Sequence, residues 1–495
     1  MKKGQLKKLM AAVLTAAMVA GLAGCGNNDD PGTSGQGSQN SDQQSSGQES
    51  GSDEGQGSDG ETPGDDGDEL GKYTVLTDEN GNPYDLGGME IILRDWWTDP
   101  DKEDENKSAY DEAREEYLEW IQATYNFTFV QKQISDWGST PEDFVNYATT
   151  GGDENYLFIL RPGAEFISAM KSNLMWDLTK LDCLDFSENK WRNKTHEMAS
   201  IGDAIYGMSG EFPEAKGGMY FNKRLLEEAG IDPQDIYDYQ ENMEWTWDKF
   251  EEICQKVAAD TDNDGVIDRY AMANFTSEFY PMAVYSNGGQ FIGRDENGNL
   301  YNDLESDATI EALNWALDML GKYEMTYPED ANWDYWITAY QNGEACFMAS
   351  EAYRAGQLEE AGMNDDFGFV CFPMGPRMDD YTNCWMNNPV VIPACYDEEK
   401  AWKLAFAYNL YTEVVPGYPE DAAFKSNYYK SFRDTESVDL TIARLEENGF
   451  LTYHGMVPGL DLGPDLFWAI NKDNTPAQQA ETIRPVWAAY LEEVN

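Results

Sequence analysis

Short apolar runs alternate with amphipathic stretches in the part of the chain that begins near residue 89. Residues 89–94, 127–130 and 156–160 are compact apolar runs of the kind that form buried strands. Between them, residues 108–125 and 141–149 place apolar side chains at helical spacing. Strands that alternate with helices in this way predict βαβ units and a mostly parallel sheet.

The residues that follow these strands are the first candidates for a ligand site. In a parallel sheet the carboxyl ends of the strands share one edge, and ligands bind in the crevice beyond that edge. The residues in this position are Trp96, Trp97, Asp136, Trp137 and Arg161.

Later strings carry a family resemblance. They are 220–226 (Y-F-N-K-R-L-L), 247–250 (W-D-K-F), 339–348 (A-Y-Q-N-G-E-A-C-F-M) and 387–394 (N-N-P-V-V-I-P-A), the last followed by a predicted helix over 398–411. In this order they resemble the extracellular solute-binding proteins of family 1, which include the maltose- and oligosaccharide-binding proteins of ABC importers. The resemblance implies an α/β protein with the two-lobed, type II periplasmic-binding-protein fold, in which helices flank parallel-rich sheets and a hinge joins the lobes.

The same resemblance implies how the lobes divide the chain. We expect the first part of the N-lobe in residues 71–182 and the C-lobe in residues 183–375. Residues 376–412 are then a segment that returns to the N-lobe, and residues 413–495 are a helical remainder of the C-lobe.

The chain opens with a pattern typical of export. Four early lysines precede an apolar run over Leu9–Leu22, which is too short to span a bilayer and ends in L-A-G-C. That string resembles the bacterial lipobox, which implies a signal peptide over residues 1–24, cleavage before Cys25 and diacylation of its thiol. An ordinary secretory signal with a chance cysteine is the alternative. Residues 25–70 are rich in Gly, Ser, Gln and acidic residues, and this composition predicts a disordered tether.

Charge and composition exclude several functions. The chain has 92 acidic and 34 basic residues, and its formal net charge of −58 argues against nucleic acid and against direct adhesion to anionic lipid. Its two histidines are far apart, which disfavours a zinc site or a histidine-based triad. The six cysteines after Cys25 have irregular spacing, so buried free thiols and disulfides both stay open. We expect a monomer.

An acidic loop matches the start of a calcium-binding loop. Its ligands would be the side chains of Asp260, Asp262, Asp264 and Asp268, with the carbonyl of Val266. The bidentate Glu expected at the twelfth position is missing, because Ala271 stands there, and Arg269 follows the ninth position. The pattern predicts a structural Ca²⁺, with a metal-free Asx-turn loop as the alternative.

Aromatic and polar residues complete the predicted ligand site. A sugar offers an apolar face and a polar rim, so its site pairs flat aromatic side chains with a few polar groups. Besides the residues at the strand ends, the candidates are Trp336, Trp385, Glu211, Glu351, Arg354 and Asn387. For each tryptophan the alternative is packing, and for each charged residue it is a salt bridge between lobes.

Together these patterns predict a lipid-anchored, extracellular binding protein without enzymatic activity. It would capture a carbohydrate, specifically an oligosaccharide, at the outer face of the bacterial cytoplasmic membrane and deliver it to the transmembrane subunits of an ABC permease. The rival hypothesis is a surface glycoside hydrolase with two carboxylates. The composition gives the hydrolase hypothesis no support, because a chain with so many acidic residues offers possible carboxylate pairs at many places. Within the binding class, a peptide or another polar solute is the alternative ligand.

Overall fold

The computed structural model describes residues 72–102, 106–214, 217–261, 263–265, 267 and 269–495. The predicted signal peptide, Cys25 and the tether lie outside these residues. Within them, no helix combines the length and the apolar character needed to cross a membrane.

In the described residues, the strands in chain order are β1 (Met89–Asp95), β2 (Phe127–Gln133), β3 (Asn155–Ile159), β4 (Ser200–Ile201), β5 (Ala204–Ile205), β6 (Gly218–Asn222), β7 (Tyr270–Met272), β8 (Ile292–Arg294), β9 (Leu300–Asn302), β10 (Ala345–Ser350), β11 (Phe367–Val370), β12 (Asn383–Trp385), β13 (Val390–Val391) and β14 (Gly449–Leu451). The α-helices are α1 (Ala109–Tyr125), α2 (Thr140–Thr150), α3 (Ala164–Lys171), α4 (Thr195–Met198), α5 (Lys223–Glu228), α6 (Pro233–Glu241), α7 (Trp247–Val257), α8 (Thr276–Ser286), α9 (Asp307–Tyr323), α10 (Tyr335–Gln341), α11 (Arg354–Glu360), α12 (Glu398–Tyr411), α13 (Ala422–Ser431), α14 (Ala443–Glu447) and α15 (Pro476–Val494). Short 3₁₀ turns cover Leu178–Lys180, Asn189–Trp191 and His454–Met456, and π-helical turns cover Ser437–Ile442 and Gly463–Phe467.

The first lobe is built on a sheet with the strand order β13–β3–β1–β2. Strand β1 is parallel to both β2 and β3, whereas β13 returns antiparallel to β3. The three parallel strands are the ones that the apolar runs predict. Their carboxyl ends therefore lie at one edge of the sheet, as the alternation of strands and helices leads us to expect.

Helix α1 shows how local chemistry sets the bounds of an element. Ser108 forms a capping box with Asp111, and Asn126 ends the helix in the left-handed conformation, with φ of 55°. Tyr117, Ile121 and Tyr125 share the buried face. The predicted helix over residues 108–125 differs from the observed one only by its cap.

The second lobe has a sheet of different character, with the order β11–β6–β10–β7. Strand β6 is antiparallel to both of its neighbours, and only β10 and β7 are parallel. The predicted parallel pairing is thus found among the first three strands of the chain, whereas the second sheet is mostly antiparallel. A buried aromatic cluster covers this sheet, where Phe250 packs edge-on against Phe347 at 5.1 Å and Trp245 is fully buried.

The boundaries between the lobes differ from those implied by the resemblance. Trp191 and Met208, expected in the C-lobe, are buried in the core of the first lobe. The N–H of Met208 also donates to the carbonyl of Val390 at 3.0 Å, because the segment near residue 208 bridges to β13. Tyr381 and Cys384, expected in the return segment, pack in the second core. The first lobe therefore reaches about residue 210, and the return begins near residue 386.

The six cysteines after Cys25 are free thiols. Cys254, Cys346, Cys371 and Cys384 are buried, and Cys395 is exposed. Burial raises the pKa of the Cys254, Cys346 and Cys371 thiols, which keeps them protonated and unreactive. Of the two alternatives left open by the spacing, the structure shows free thiols.

Candidate functional site

A cavity of about 590 Å³ lies between the two lobes, which is within the range of small-ligand sites. Its walls come from the carboxyl edge of the first sheet, from α13 of the second lobe, and from the crossing segments. These are the stretches that pass between the two lobes near residues 210–214, 386–389 and 416–421. Its aromatic lining consists of Trp97, Tyr110, Phe212, Tyr353, Tyr408, Tyr411, Phe424 and Tyr428.

On the first lobe, a buried carboxylate presents Trp97 to the cavity. Asp95 ends β1 and is 1% exposed, and its Oδ1 accepts the N–H groups of Trp97 at 3.2 Å and Thr98 at 3.0 Å. These bonds turn the chain sharply where the strand ends. Trp97 is 49% exposed and packs edge-on against Trp96 at 4.9 Å. Trp96 is half-buried and supports this ring without lining the cavity.

A chain of hydrogen bonds connects this turn to the return segment. Gln131 Nε2 donates to Asp95 Oδ2 at 2.9 Å, and the hydroxyl of Tyr411 donates to Gln131 Oε1 at 3.2 Å. The Tyr411 ring stacks on Phe129 at 4.3 Å. Burial raises the pKa of Tyr411, so its phenol stays protonated and acts as a hydrogen-bond donor. This part of the lining is therefore a connected, ordered surface.

The second lobe contributes Tyr353, which is 44% exposed and lies three residues beyond β10. Arg354 stands behind it, with its guanidinium 5.1 Å from the Tyr353 ring and 5.3 Å from the Trp336 ring. Arg354 is 9% exposed and its Nε donates to Ser350 Oγ at 3.3 Å. The predicted contacts Arg354 and Trp336 thus support the wall from the lobe interior and do not line the cavity.

Two of the crossing segments are joined at the cavity by Asn387. This residue is 2% exposed, its Nδ2 donates to the carbonyl of Phe212 at 2.6 Å, and its Oδ1 accepts the N–H of Glu214 at 3.0 Å. The N–H of Met386 also donates to the carbonyl of Glu214 at 3.1 Å. Asn387 lines the cavity, and both ends of its amide bond to backbone groups.

Cationic side chains in the lining are engaged by protein groups. Arg192 pairs with Glu446 at 3.1 Å and with Glu420 at 3.3 Å, while Lys190 pairs with Glu413. The Arg192 guanidinium also lies 3.7 Å from the centroid of the Phe212 ring. Its charge is thus compensated within the wall of the cavity.

The remaining charges of the lining are mainly acidic. Arg114 donates to the carbonyl oxygens of Tyr411 and Glu413, the latter at 3.4 Å. The carboxylates in the lining are those of Glu211, Glu214, Glu413 and Glu420. They outnumber the cations Arg114, Lys190 and Arg192, so the lining has a formal net negative charge.

The other predicted residues lie outside the cavity lining. Trp137 is 57% exposed with the Arg161 guanidinium 3.8 Å from its ring centroid. The Asp136 carboxylate accepts N–H groups of its own turn, which lowers its pKa. Trp385 is half-buried and its Nε1 donates to the carbonyl of Leu445 at 3.1 Å. Glu351 accepts, through its carbonyl, a bond from the Tyr220 hydroxyl at 3.0 Å.

Of the predicted residues, the cavity thus brings together Trp97, Glu211 and Asn387. Tyr353 is the clearest omission, and the rule that selects residues after strand ends would have found it. The sequence contains no comparable signal for Phe212 or Phe424, whose rings stack at 5.0 Å across a crossing segment and α13.

The predicted calcium loop is only partly described. Asp262, Val266 and Asp268 lie outside the described residues. Both carboxylate oxygens of Asp260 accept backbone N–H groups, from Asp264 at 3.2 Å and from Gly265 at 2.7 Å. Among the residues that the structure describes, no group of three or more His, Cys, Asp or Glu side chains gathers as a metal site. The calcium site stays a prediction.

Two α/β lobes joined by crossing segments around an aromatic and polar cavity define a two-lobed ligand-binding protein. The chain belongs to the bacterial extracellular solute-binding protein family, whose model matches residues 158–408. This confirms the family and the fold class that the sequence predicts. The members of this family bind solutes outside the cell, and the protein is assigned to that class.

One curated relative is similar to this chain over part of its length. The arabinooligosaccharide-binding protein of Halalkalibacterium halodurans is 30% identical over 128 residues, which are 24% of this chain and 25% of that protein. The match thus spans a quarter of the length of this curated relative.

Solved structures share the fold at low identity. UgpB from Mycobacterium tuberculosis, in complex with glycerophosphocholine, is 16% identical with a TM-score of 0.55, covering 77% of this chain and 95% of its own. The cyclic alpha-maltosyl-1,6-maltose binding protein from Arthrobacter globiformis is 13% identical with a TM-score of 0.56, covering 82% of this chain and 100% of its own. At these identities the likeness establishes the fold alone.

Proposed function

We propose that this protein binds a neutral oligosaccharide in the cavity between its lobes. The observation that carries the proposal is that Trp97 and Tyr353, two exposed aromatic rings from opposite lobes, line one cavity. A sugar ring has apolar C–H faces that stack on such rings, while its hydroxyl groups bond to polar groups at the rim. The amides and hydroxyls of the lining, among them Gln131, Asn388 and Asn427, supply that polar rim.

The charges favour a neutral ligand over an acidic one. Arg192 and Lys190 already pair with carboxylates, so an anionic ligand would have to compete with these partners. The lining has more carboxylates than cations, and the chain has a formal net charge of −58. Both repel an anion. An uronic-acid oligosaccharide or a phosphodiester is therefore disfavoured, and the arabinooligosaccharide-binding relative supports a neutral sugar.

Polar contacts between the lobes support capture by closure. Asp111 at the start of α1 pairs with Lys430 of α13 at 2.8 Å, and Ser108 and Ser426 share a hydrogen bond of 2.8 Å. These contacts join the helices on either side of the cavity. We infer that the lobes open by hinge motion of the crossing segments and close over the ligand.

We further propose that Cys25 carries a lipid anchor and that the protein delivers its sugar to an ABC-type importer. Retention at the membrane would keep a captured ligand near a permease. Cell fractionation tests the anchor: the protein should sediment with membranes, and the Cys25→Ala variant should be released into the medium. Equal membrane retention of both proteins would contradict lipidation of this cysteine.

Calorimetric titration and thermal shift against a panel of sugars test the ligand class. The panel contains neutral arabino- and malto-oligosaccharides, oligogalacturonates as acidic counterparts, and short peptides. A neutral oligosaccharide at about 100 times its dissociation constant should stabilise the fold by about 2.7 kcal/mol. Binding of acidic sugars or peptides alone would contradict the proposal. Recovery of a cleaved sugar would favour the hydrolase instead.

A further inference from the structure

An exposed tryptophan outside the cavity is held in one orientation. The Arg161 guanidinium lies 3.8 Å from the centroid of the Trp137 ring, yet the side chain is still 57% exposed. The cation therefore covers part of the indole and leaves the rest open to solvent. Arg161 is itself positioned by Glu165 at 3.8 Å. A cation above a tryptophan face is an attractive contact that restrains the ring.

The turn that presents this ring is also well defined. Asp136 Oδ1 accepts the N–H groups of Gly138 at 2.9 Å and of Ser139 at 2.8 Å. The hydroxyl of Thr140 donates to the carbonyl of Asp136 at 2.7 Å at the start of α2. Backbone bonds on both sides of Trp137 thus reduce the conformational freedom that a ligand would otherwise have to restrict.

The position of Trp137 relates it to the cavity. It follows β2 and Arg161 follows β3, and these strands flank β1, which leads to the cavity-lining Trp97. The loops after β1 and β2 are joined directly. The N–H of Gln133 donates to the carbonyl of Thr98 at 2.8 Å, and the N–H of Ile134 donates to the carbonyl of Asp95 at 3.3 Å. Trp97 and Trp137 therefore lie on adjacent, mutually bonded loops at the same edge of the sheet.

We propose that Trp137, positioned by Arg161, is a second stacking platform, which binds a sugar residue that extends out of the cavity. The inference rests on the proposed function and adds a property to it, namely selection by ligand length. A short oligosaccharide fills the cavity, contacts Trp97 and Tyr353, and does not reach Trp137. A longer one also stacks on the open part of Trp137, so its affinity is higher. The platform takes a neutral pyranose or furanose ring through its apolar face.

Binding measurements along two length series test this selection. The probes are arabinooligosaccharides and malto-oligosaccharides from the disaccharide to the hexasaccharide, titrated calorimetrically into the whole protein. Wild-type affinity should rise with length. Trp137→Ala should reduce affinity for the longest bound sugar by about tenfold and leave that for the shortest bound sugar unchanged. Trp137→Phe, which keeps a flat ring, should retain most of the affinity, and Arg161→Gln should cause a smaller loss confined to long sugars.

A matched control is Trp468→Ala, since Trp468 is 63% exposed on the second lobe. Its replacement should leave the affinity unchanged at every length. If the wild type binds and Trp137→Ala binds every sugar length with the same affinity, the platform is overturned and the proposed function stands. A loss of equal size at every length would also overturn it, because Trp137 would then act on the sugar inside the cavity. Failure of the wild type to bind either series would overturn both proposals.

Discussion

Replacing either aromatic ring of the cavity by alanine is expected to weaken oligosaccharide binding severely. Trp97→Ala and Tyr353→Ala each remove a flat face on which a sugar ring would bury roughly 80 Å² of apolar surface, about half of what a whole aromatic side chain buries. At about 25 cal/mol per Å² this is about 2 kcal/mol, or about 30-fold in affinity. The two residues lie on opposite lobes, so the double variant should lose about a thousandfold, provided that their contributions add. Calorimetric titration with the tightest sugar of the panel measures these losses.

The control for this prediction uses an exposed tyrosine outside the cavity lining. Tyr429, on α13, is 43% exposed and its hydroxyl donates to Asp439 at 2.6 Å. Tyr429→Ala should leave the affinity unchanged. Because Trp97 and Tyr353 are about half exposed, their replacement should change the melting temperature of the ligand-free protein little. Wild-type affinity in both variants would contradict the site, and a collapse of stability would identify the rings as packing residues.

Elements with a strong local signal could be predicted from the sequence. The helix predicted over 398–411 is observed with those bounds, because Asp397 caps it and its side chain accepts the N–H of Lys400 at 2.8 Å. Thr246 likewise caps α7, where its side chain accepts the N–H of Lys249. The direction of strands in the second sheet has no such local origin. Strand β6 follows a crossing segment, so the alternation of strands and helices does not decide how it pairs.

Site residues could be predicted only where a local rule applies. The position after β1 selects Trp97, which lies in the lining, but the same rule selects Trp96, whose ring packs against Trp97 outside the lining. Trp336 also lies in an aromatic-rich stretch, but its side chain is only 3% exposed, because α10 places that ring in the core. Which of two neighbouring aromatic rings reaches the cavity depends on tertiary packing, and a single sequence does not contain that information in readable form.

Charge was the least predictable part of the site. An arginine near the cleft is compatible with an acidic sugar when the sequence alone is considered. The structure pairs Arg192 with Glu446 and Glu420, residues more than 200 positions away in the chain. Only the folded arrangement brings these partners together, and it turns a cation that could attract an anion into part of a neutralised wall. The ligand class inferred from the cavity is accordingly neutral.

Replacing Asn387 by alanine is expected to destabilise the protein and weaken ligand binding together. The change leaves the carbonyl of Phe212 and the N–H of Glu214 without the partners they have at 2.6 and 3.0 Å. Loss of two bonds to a side chain that is 2% exposed should lower the free energy of unfolding by about 2–4 kcal/mol. The same bonds join two crossing segments, so the closed arrangement should also be less populated and the affinity lower. Urea unfolding and calorimetric titration measure the two effects.

A conservative variant separates loss of the bonds from loss of volume. Asn387→Asp keeps the acceptor for the N–H of Glu214 but places a second acceptor opposite the carbonyl of Phe212. Burial and this carbonyl should raise the pKa of the introduced carboxyl in the folded state, so that part of the stability should be present at low pH and lost as the pH rises through that pKa. Relative to the wild type, the variant should therefore be less destabilised at pH ~5 than at pH ~8. Asn388→Ala, the control in the same crossing segment, should lower the unfolding free energy by less than about 1 kcal/mol. If both asparagine-to-alanine variants were equally stable, the amide of Asn387 would not be what holds the two segments together.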